Sequence, residues 1–512
     1  MVTGIFLFSV GISILALSVW FRFAKTVLTA AIAQKVLGLA LLFMGGSSFF
    51  LGLPFEQQVQ YLLFDLLLIG LSGVIGALFA ARPKILSSLV SGLILLLFPL
   101  HRNLLWPSYA PSGLDPSGEL LLSVSNGKLS PSIQKVLDKW DVRAIPAFSV
   151  ASQDITKVEE YWVLDVPDRQ ASNMERIIAA VTGQAGVVWL EPNEILTLDH
   201  QVAPLRNRNA PSLVNDPGVA HLWGFDLMEM EKLYQLLESG EVQVRQKALI
   251  AILDSGVDAD HEDISDNYMS TKAAYDKDPL GHGTHCAGIA GAVSNNGKGI
   301  ASFSLDNEFV QITSIKVLGA NGSGTQKGII AGIIEAADRG AAVISMSLGG
   351  RSTQSRQQAY QDAVKYASQK GAVVVAAAGN SGQNAKDYAP VNTPGVIGVA
   401  ALDTLGRKAG FSNTVQDIRM AVAAPGVQIY STIPGNQYAS FNGTSMATPH
   451  VAGVIGLLKS MNPNLNTQEV FELIHQTGAE VADGDLTGRV MVPYRAVQAL
   501  LENKVMVPPA SE

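Results

Sequence analysis

Gly443-Thr-Ser-Met-Ala-Thr-Pro-His450 sets one serine, Ser445, just ahead of an apolar run that continues from Met446 towards Leu458 with the length of a buried helix. Working outward, an aspartate ends the apolar block Ala251-Ile-Leu-Asp254, and a histidine opens Gly281-His-Gly-Thr-His-Cys-Ala-Gly288. A further block, Ala376-Ala-Ala-Gly-Asn380, ends in an amide. An acid, a base and a hydroxyl nucleophile in the order Asp, His, Ser is one of the chain orders in which the acyl-transfer triad occurs.

Each residue type answers a chemical need. Ser445 is a poor nucleophile until a base takes its proton, and His282 titrates near working pH. Asp254 would hold the imidazole tautomer and stabilise the imidazolium. Asn380 would donate its amide to a developing oxyanion, beside the backbone N–H of Ser445. A lone Gly-Thr-Ser carries little weight, but four blocks in order carry much. Together they resemble the subtilase family of serine endopeptidases.

The resemblance implies more about the cleft. Gly322-Ser323-Gly324 and Ser347-Leu348-Gly349 match the edges that pair with an extended peptide substrate, a mode that asks little of side chains. Ala377, Ala378 and Gly379 would line the primary pocket, whose small residues predict an apolar side chain of medium or large size. Asp263 and the loop Ser294–Ile300 resemble a structural calcium site. Asn296 would give a side-chain oxygen and Ser294, Lys298 and Ile300 backbone carbonyls, with the Lys298 cation as a departure. His285 and Cys286 read as core residues; a cysteine here resembles a cysteine-bearing branch of the family. No catalytic cofactor is implied.

Around these blocks the pattern is that of an α/β, doubly wound, mainly parallel sheet. Lys247–Leu253, Val310–Leu318, Ala341–Leu348 and Gly371–Ala378 are apolar runs fit for buried strands. His282–Val293, Thr325–Arg339 and Ser355–Lys370 have helical patterning between them. Asp254 and Asn380 then fall at strand C-terminal ends, where such sheets bind ligands. This catalytic domain is expected over 215–505.

The chain has 512 residues, 48% hydrophobic and only 16% charged, with a net charge of −8 and one cysteine. The low charge against the usual ~25% comes from residues 1–101, where apolar stretches at 4–21, 36–53, 60–81 and 85–100 predict a four-helix transmembrane region. Arg22, Lys25, Lys35, Arg82 and Lys84 fall in the first and third loops and place those loops in the cytoplasm. The bilayer is thus an expected partner, and the catalytic domain is expected on the extracytoplasmic side. Asp65, near one end of a span, reads as an interface residue, so the bundle anchors rather than transports. The acidic balance gives no reason to expect a nucleic-acid partner.

Residues 102–117 read as a Pro- and Ser-containing linker. Over 118–199 the order is β-α-β-β-α-β: strands at Glu119–Ser125, Ala147–Ser152, Tyr161–Val166 and Val187–Pro192, helices at Ser130–Lys139 and Ala171–Thr182. This small ferredoxin-like α+β domain resembles the inhibitory propeptide that precedes subtilase catalytic domains. Residues 200–214, polar and non-periodic, read as an accessible connector. Cutting there would separate the anchor from the protease and allow its release from the membrane.

Two other classes fit part of the sequence. A catalytically silent subtilase fold, used as a peptide-binding or sensor module, has no need of all four residues Asp254, His282, Asn380 and Ser445. A transporter or channel with an attached enzyme disagrees with spans so poor in polar residues.

Overall fold

The computed structural model describes residues 113–502, less 152–155, 199–200, 209–211, 306 and 353–356. The four expected spans lie outside the described residues, and no described helix is long and apolar enough to cross a membrane. One compact unit takes in Gly113–Val166 and the described residues from Glu175 onward.

Its first part is a four-stranded antiparallel sheet of β1 (Leu120–Val124), β2 (Arg143–Pro146), β3 (Tyr161–Asp165) and β4 (Val187–Pro192), in the order β2-β3-β1-β4. Helices Pro131–Trp140 and Met174–Thr182 complete the β-α-β-β-α-β order. Ser130 caps the first helix, its Oγ accepting the Ile133 N–H at 3.3 Å, with Pro131 at the first helical position. The second strand was expected over Ala147–Ser152 and instead runs over Arg143–Pro146. Asp141 ends the helix in the left-handed conformation and turns the chain at once into the sheet.

The larger part is built on six parallel strands: β7 (Ala248–Asp254), β8 (Val310–Lys316), β10 (Val343–Met346), β12 (Val373–Ala377), β14 (Val396–Leu402) and β15 (Ala421–Pro425). Their order is β15-β14-β12-β10-β7-β8. β10, β12, β14 and β15 are buried along their whole length, as strands covered on both faces should be. The last two escape a reading by pattern because alanine and glycine interrupt their β-branched residues. Between β8 and β10 lies β9 (Ser323–Thr325), followed by the helix Gln326–Asp338; the helix Gln358–Gln369 precedes β12.

One helix, Thr444–Met461, runs through the core with all eighteen residues buried. It begins two residues earlier than the apolar run suggested, so Ser445 stands in its first turn and not ahead of it. Near its far end Lys459, 3% exposed, donates to the carbonyls of Gly371, Pro463 and Leu465 at 2.7–2.9 Å. Three carbonyl partners satisfy all three ammonium protons and fix that end without a carboxylate.

The small sheet's end of the chain serves the larger part. Glu191 on β4, 1% exposed, accepts from the Gln358 N–H at 3.0 Å, the Ala359 N–H at 3.3 Å and the Gln326 side chain at 2.9 Å. Asn193 accepts the Lys327 N–H at 2.9 Å. Two helix N-termini of the parallel-sheet part thus draw caps from residues before 200, where acceptors meet orphan donors and the positive dipole end.

Candidate active site

Asp254 is the last residue of β7, and its backbone carbonyl accepts the Val317 and Leu318 N–H groups at 2.9 and 3.1 Å. His282 opens the helix His282–Gly291 after Gly281. Both are fully buried, with His282 Nδ1 at 2.8 and 2.9 Å from the two Asp254 oxygens. Burial pulls the imidazole pKa down, but the Asp254 charge and hydrogen bond outweigh it and hold His282 well above 6.5.

The contact depends on Gly283. A β-carbon there would lie 2.0 Å from the Gly256 carbonyl oxygen and 3.1 Å from the Asp254 Cβ. Only glycine lets the helix start approach the end of β7 so closely.

Ser445 Oγ donates to the Ser347 carbonyl at 3.0 Å. Pro449 lies four residues on within the same helix and has no N–H to return to the Ser445 carbonyl. That carbonyl is taken instead by the Ser347 hydroxyl at 2.7 Å and the Cys286 thiol at 3.5 Å. Cys286, buried and with its thiol pushed up by desolvation, thus has a structural partner. His285 is likewise structural, with Nε2 3.1 Å from the Ala439 carbonyl oxygen and its ring stacked on Phe441.

Asn380 follows β12. Its Oδ1 accepts the Thr444 N–H and hydroxyl, both at 2.9 Å, which directs the Nδ2 donor end away from Thr444. The Thr444 hydroxyl in turn accepts the Gly379 N–H at 3.1 Å. Sequence reading missed Thr444 as the residue that sets this amide.

The cleft is lined by the chain itself. β5 (Ile195–Thr197) pairs antiparallel with β9, Leu196 opposite Gly324 and Thr197 opposite Ser323, and the Leu198 N–H reaches the Gly322 carbonyl at 2.9 Å. On the other side β6 (Gln201–Val202) pairs with β17 (Gln437–Asn442), placing Gln201 opposite Asn442. Arg208 follows, its guanidinium paired with Asp226 at 2.6 Å and Glu231 at 3.0 Å. Residues 201–208 therefore lie along the larger part rather than as an open connector, because an unpaired strand edge and two carboxylates hold them. Beside Thr197, Leu198 and Ser445 is a pocket of about 300 Å³ lined by Ser347, Leu348, Gly349, Ala377 and Gly379, with Gly350, Arg351 and Tyr388 added to the expected set. Ala378, fully buried, is not among the lining residues; its N–H bonds to the Val399 carbonyl and its carbonyl accepts from the Asn413 amide.

The expected calcium residues also meet, with a difference. Asp263 Oδ1 accepts from Asn296 Nδ2 at 2.9 Å and Oδ2 from the Ile300 N–H at 2.7 Å. The Asn296 oxygen expected to face a cation accepts the Lys298 N–H at 2.7 Å instead. Ser294 is buried, its hydroxyl accepting the Ser302 N–H, and Lys298 is exposed. A second carboxylate, Asp216, unforeseen from sequence, accepts the Asn295 and Asn296 N–H groups at 2.6 and 3.0 Å. Desolvation, then the Asp216 charge, pushes Asp263 up to about 7 against its hydrogen bonds. Among the described residues no cationic side chain pairs with either acid. Two buried carboxylates and a carboxamide, brought together from three segments of the chain, fit a hard divalent cation in kind.

Replacing Gly283 with Ala is expected to lower kcat/KM about 10²-fold, since ångström-scale misplacement of a catalytic group costs that much. Steady-state kinetics on a peptide substrate checks it; a variant within threefold of wild type would show that the close approach is dispensable.

The Subtilase family model matches residues 245–493. Thermitase of Thermoactinomyces vulgaris is 44% identical over 263 residues, 49% of this chain and 88% of that protein. Subtilisin DY of Bacillus licheniformis is 39% identical over 255 residues, 48% of this chain and 89% of that protein. A thermophilic serine proteinase of Bacillus sp. (strain AK1) is 43% identical over 238 residues, but these are only 57% of its own length. With nearly the whole of thermitase covered, and the parallel sheet arranged about the Asp254–His282 pair, the chain belongs to the subtilase family of serine endopeptidases.

Proposed function

We propose that the protein is a membrane-anchored serine endopeptidase, made as an inhibited precursor, whose catalytic domain faces away from the cytoplasm. The observation that carries the catalytic part is the buried Asp254–His282 contact, in a domain whose strip Gly322–Gly324 is already paired with a strand of the chain. In this reading Ser445 Oγ attacks the substrate carbonyl while His282 takes its proton. The oxyanion is received by Asn380 Nδ2 and the Ser445 N–H at the helix start. His282 then protonates the leaving amine, and water repeats the sequence on the acyl-enzyme.

Residues 118–199 act as the propeptide. Support comes from β5 occupying the strip Gly322–Gly324 and from Glu191 and Asn193 capping two helices of the catalytic domain. The bond cut lies between Leu198, held by Gly322, and Gln201, held by β17, at the head of the expected connector. The anchor is the apolar region 1–101, and the loop charges Arg22, Lys25, Lys35, Arg82 and Lys84 support the orientation. Asp216, Asp263 and Asn296 would hold a structural calcium ion, which would supply the positive charge that the buried acids lack.

Fractionation tests precursor and anchor together. The wild type should yield a soluble C-terminal fragment of roughly 300 residues, the size of a large single domain, outside the cytoplasm. Ser445→Ala should stay full length and in the membrane fraction. An uncut, active wild type would overturn the propeptide reading, and a cytosolic fragment the orientation.

The pH profile tests His282. Only the neutral imidazole accepts the proton from Ser445, and its pKa is raised, so the acid limb of kcat/KM should lie above 6.5. In Asp254→Asn that limb should move to lower pH while the rate falls by about 10⁴. A limb that stays put in the variant would exclude Asp254 as the cause.

For calcium, chelation should lower the wild-type Tm by about 2–4 °C per kcal/mol of binding energy lost. Asp263→Asn should abolish the difference between chelated and calcium-loaded samples; an equal shift in both proteins rules this site out.

A further inference from the structure

Arg351 is the one charged residue among those lining the pocket beside Ser445. It lies on β11 (Gly350–Arg351), which pairs antiparallel with β13 (Tyr388–Ala389) in the register Arg351 opposite Tyr388. Directly opposed residues in an antiparallel pair put their side chains on the same face, with Cβ atoms about 4.5–5.5 Å apart. Tyr388 and Arg351 both line the pocket and stand on the same face of this ribbon. Arg351 is exposed, and no described carboxylate pairs with it.

The remaining walls carry no charge. Leu348 is 3% exposed and Ala377 4%, while Gly349, Gly350 and Gly379 add backbone only. A carboxylate entering this space would meet a planar cation able to bind it through two parallel N–H donors. Lysine and arginine side chains would meet like charge.

We propose that the primary pocket selects an acidic side chain, Asp or Glu, immediately before the bond to be cut, through the Arg351 guanidinium, with Tyr388 as its cross-strand neighbour. The inference rests on the proposed role of Ser445, which makes this the pocket next to the scissile bond. It replaces the apolar preference that small walls alone predict. Arg351 is a specificity residue; it touches substrate but no reacting atom.

The test uses protease purified after expression of the full-length chain, with a peptide series differing only in the residue before the cut: Glu, Leu and Lys. The quantity read is kcat/KM for Glu divided by that for Leu. Arg351→Gln should lower this ratio about tenfold, and Arg351→Glu should lower it further while raising the rate on Lys. Raising salt should reduce the wild-type ratio, because the pairing is partly solvent-exposed. A Glu-to-Leu ratio that Arg351→Gln leaves within threefold overturns the proposal. Ser445→Ala on the same series reports the catalytic reading separately: hydrolysis that persists there removes the nucleophile, whatever the ratio does in the Arg351 variants.

Discussion

The helix Thr444–Met461 is buried from end to end, and the rest of the structure is arranged around that fact. A helix with no solvent face must find packing partners on every side. Here it lies among the strands of the parallel sheet and against the helix that begins with His282. Its N-terminus therefore cannot move without disturbing the core. Ser445 inherits that rigidity, and so does Thr444, which holds Asn380. Lys459 fixes the other end through carbonyls, which give a buried ammonium the hydrogen bonds that burial takes from it.

The same close packing explains why the glycine-rich segments cannot be loosened. Gly283 lets His282 meet Asp254, and Pro449 leaves the Ser445 carbonyl open for Ser347 and Cys286. Neither effect is an interaction of the named residue. Each works by what the residue lacks, a β-carbon in one case and an N–H in the other. Cores this dense transmit small displacements rather than absorb them.

What could be read from the sequence follows the range of the interactions. Asp254, His282, Asn380 and Ser445 each sit in a local block whose pattern names both the element and the chemistry. β7, β8, β10 and β12 announce themselves as apolar runs, whereas β14, diluted with alanine and glycine, and the alanine-rich β15 do not. Arg351 and Tyr388 stand in unremarkable stretches and become neighbours only through a two-residue ribbon. Asp216 likewise reaches the Asp263 loop through tertiary packing alone. The shift of β2 towards the helix before it came from one left-handed residue, Asp141, which no hydrophobic periodicity reports.

β5 lies on the edge strip at β9 while still covalently part of the molecule that it covers. An incoming peptide then competes with a tethered strand, whose effective concentration for short linkages is of millimolar order. A substrate present at micromolar levels loses that competition by roughly a thousandfold, even if it pairs with β9 equally well. Once the linkage is gone, the same strand becomes an ordinary ligand, diluted by the volume around it. The strength of this self-occupancy is therefore a property of chain connectivity, and a single broken bond changes it without altering one contact.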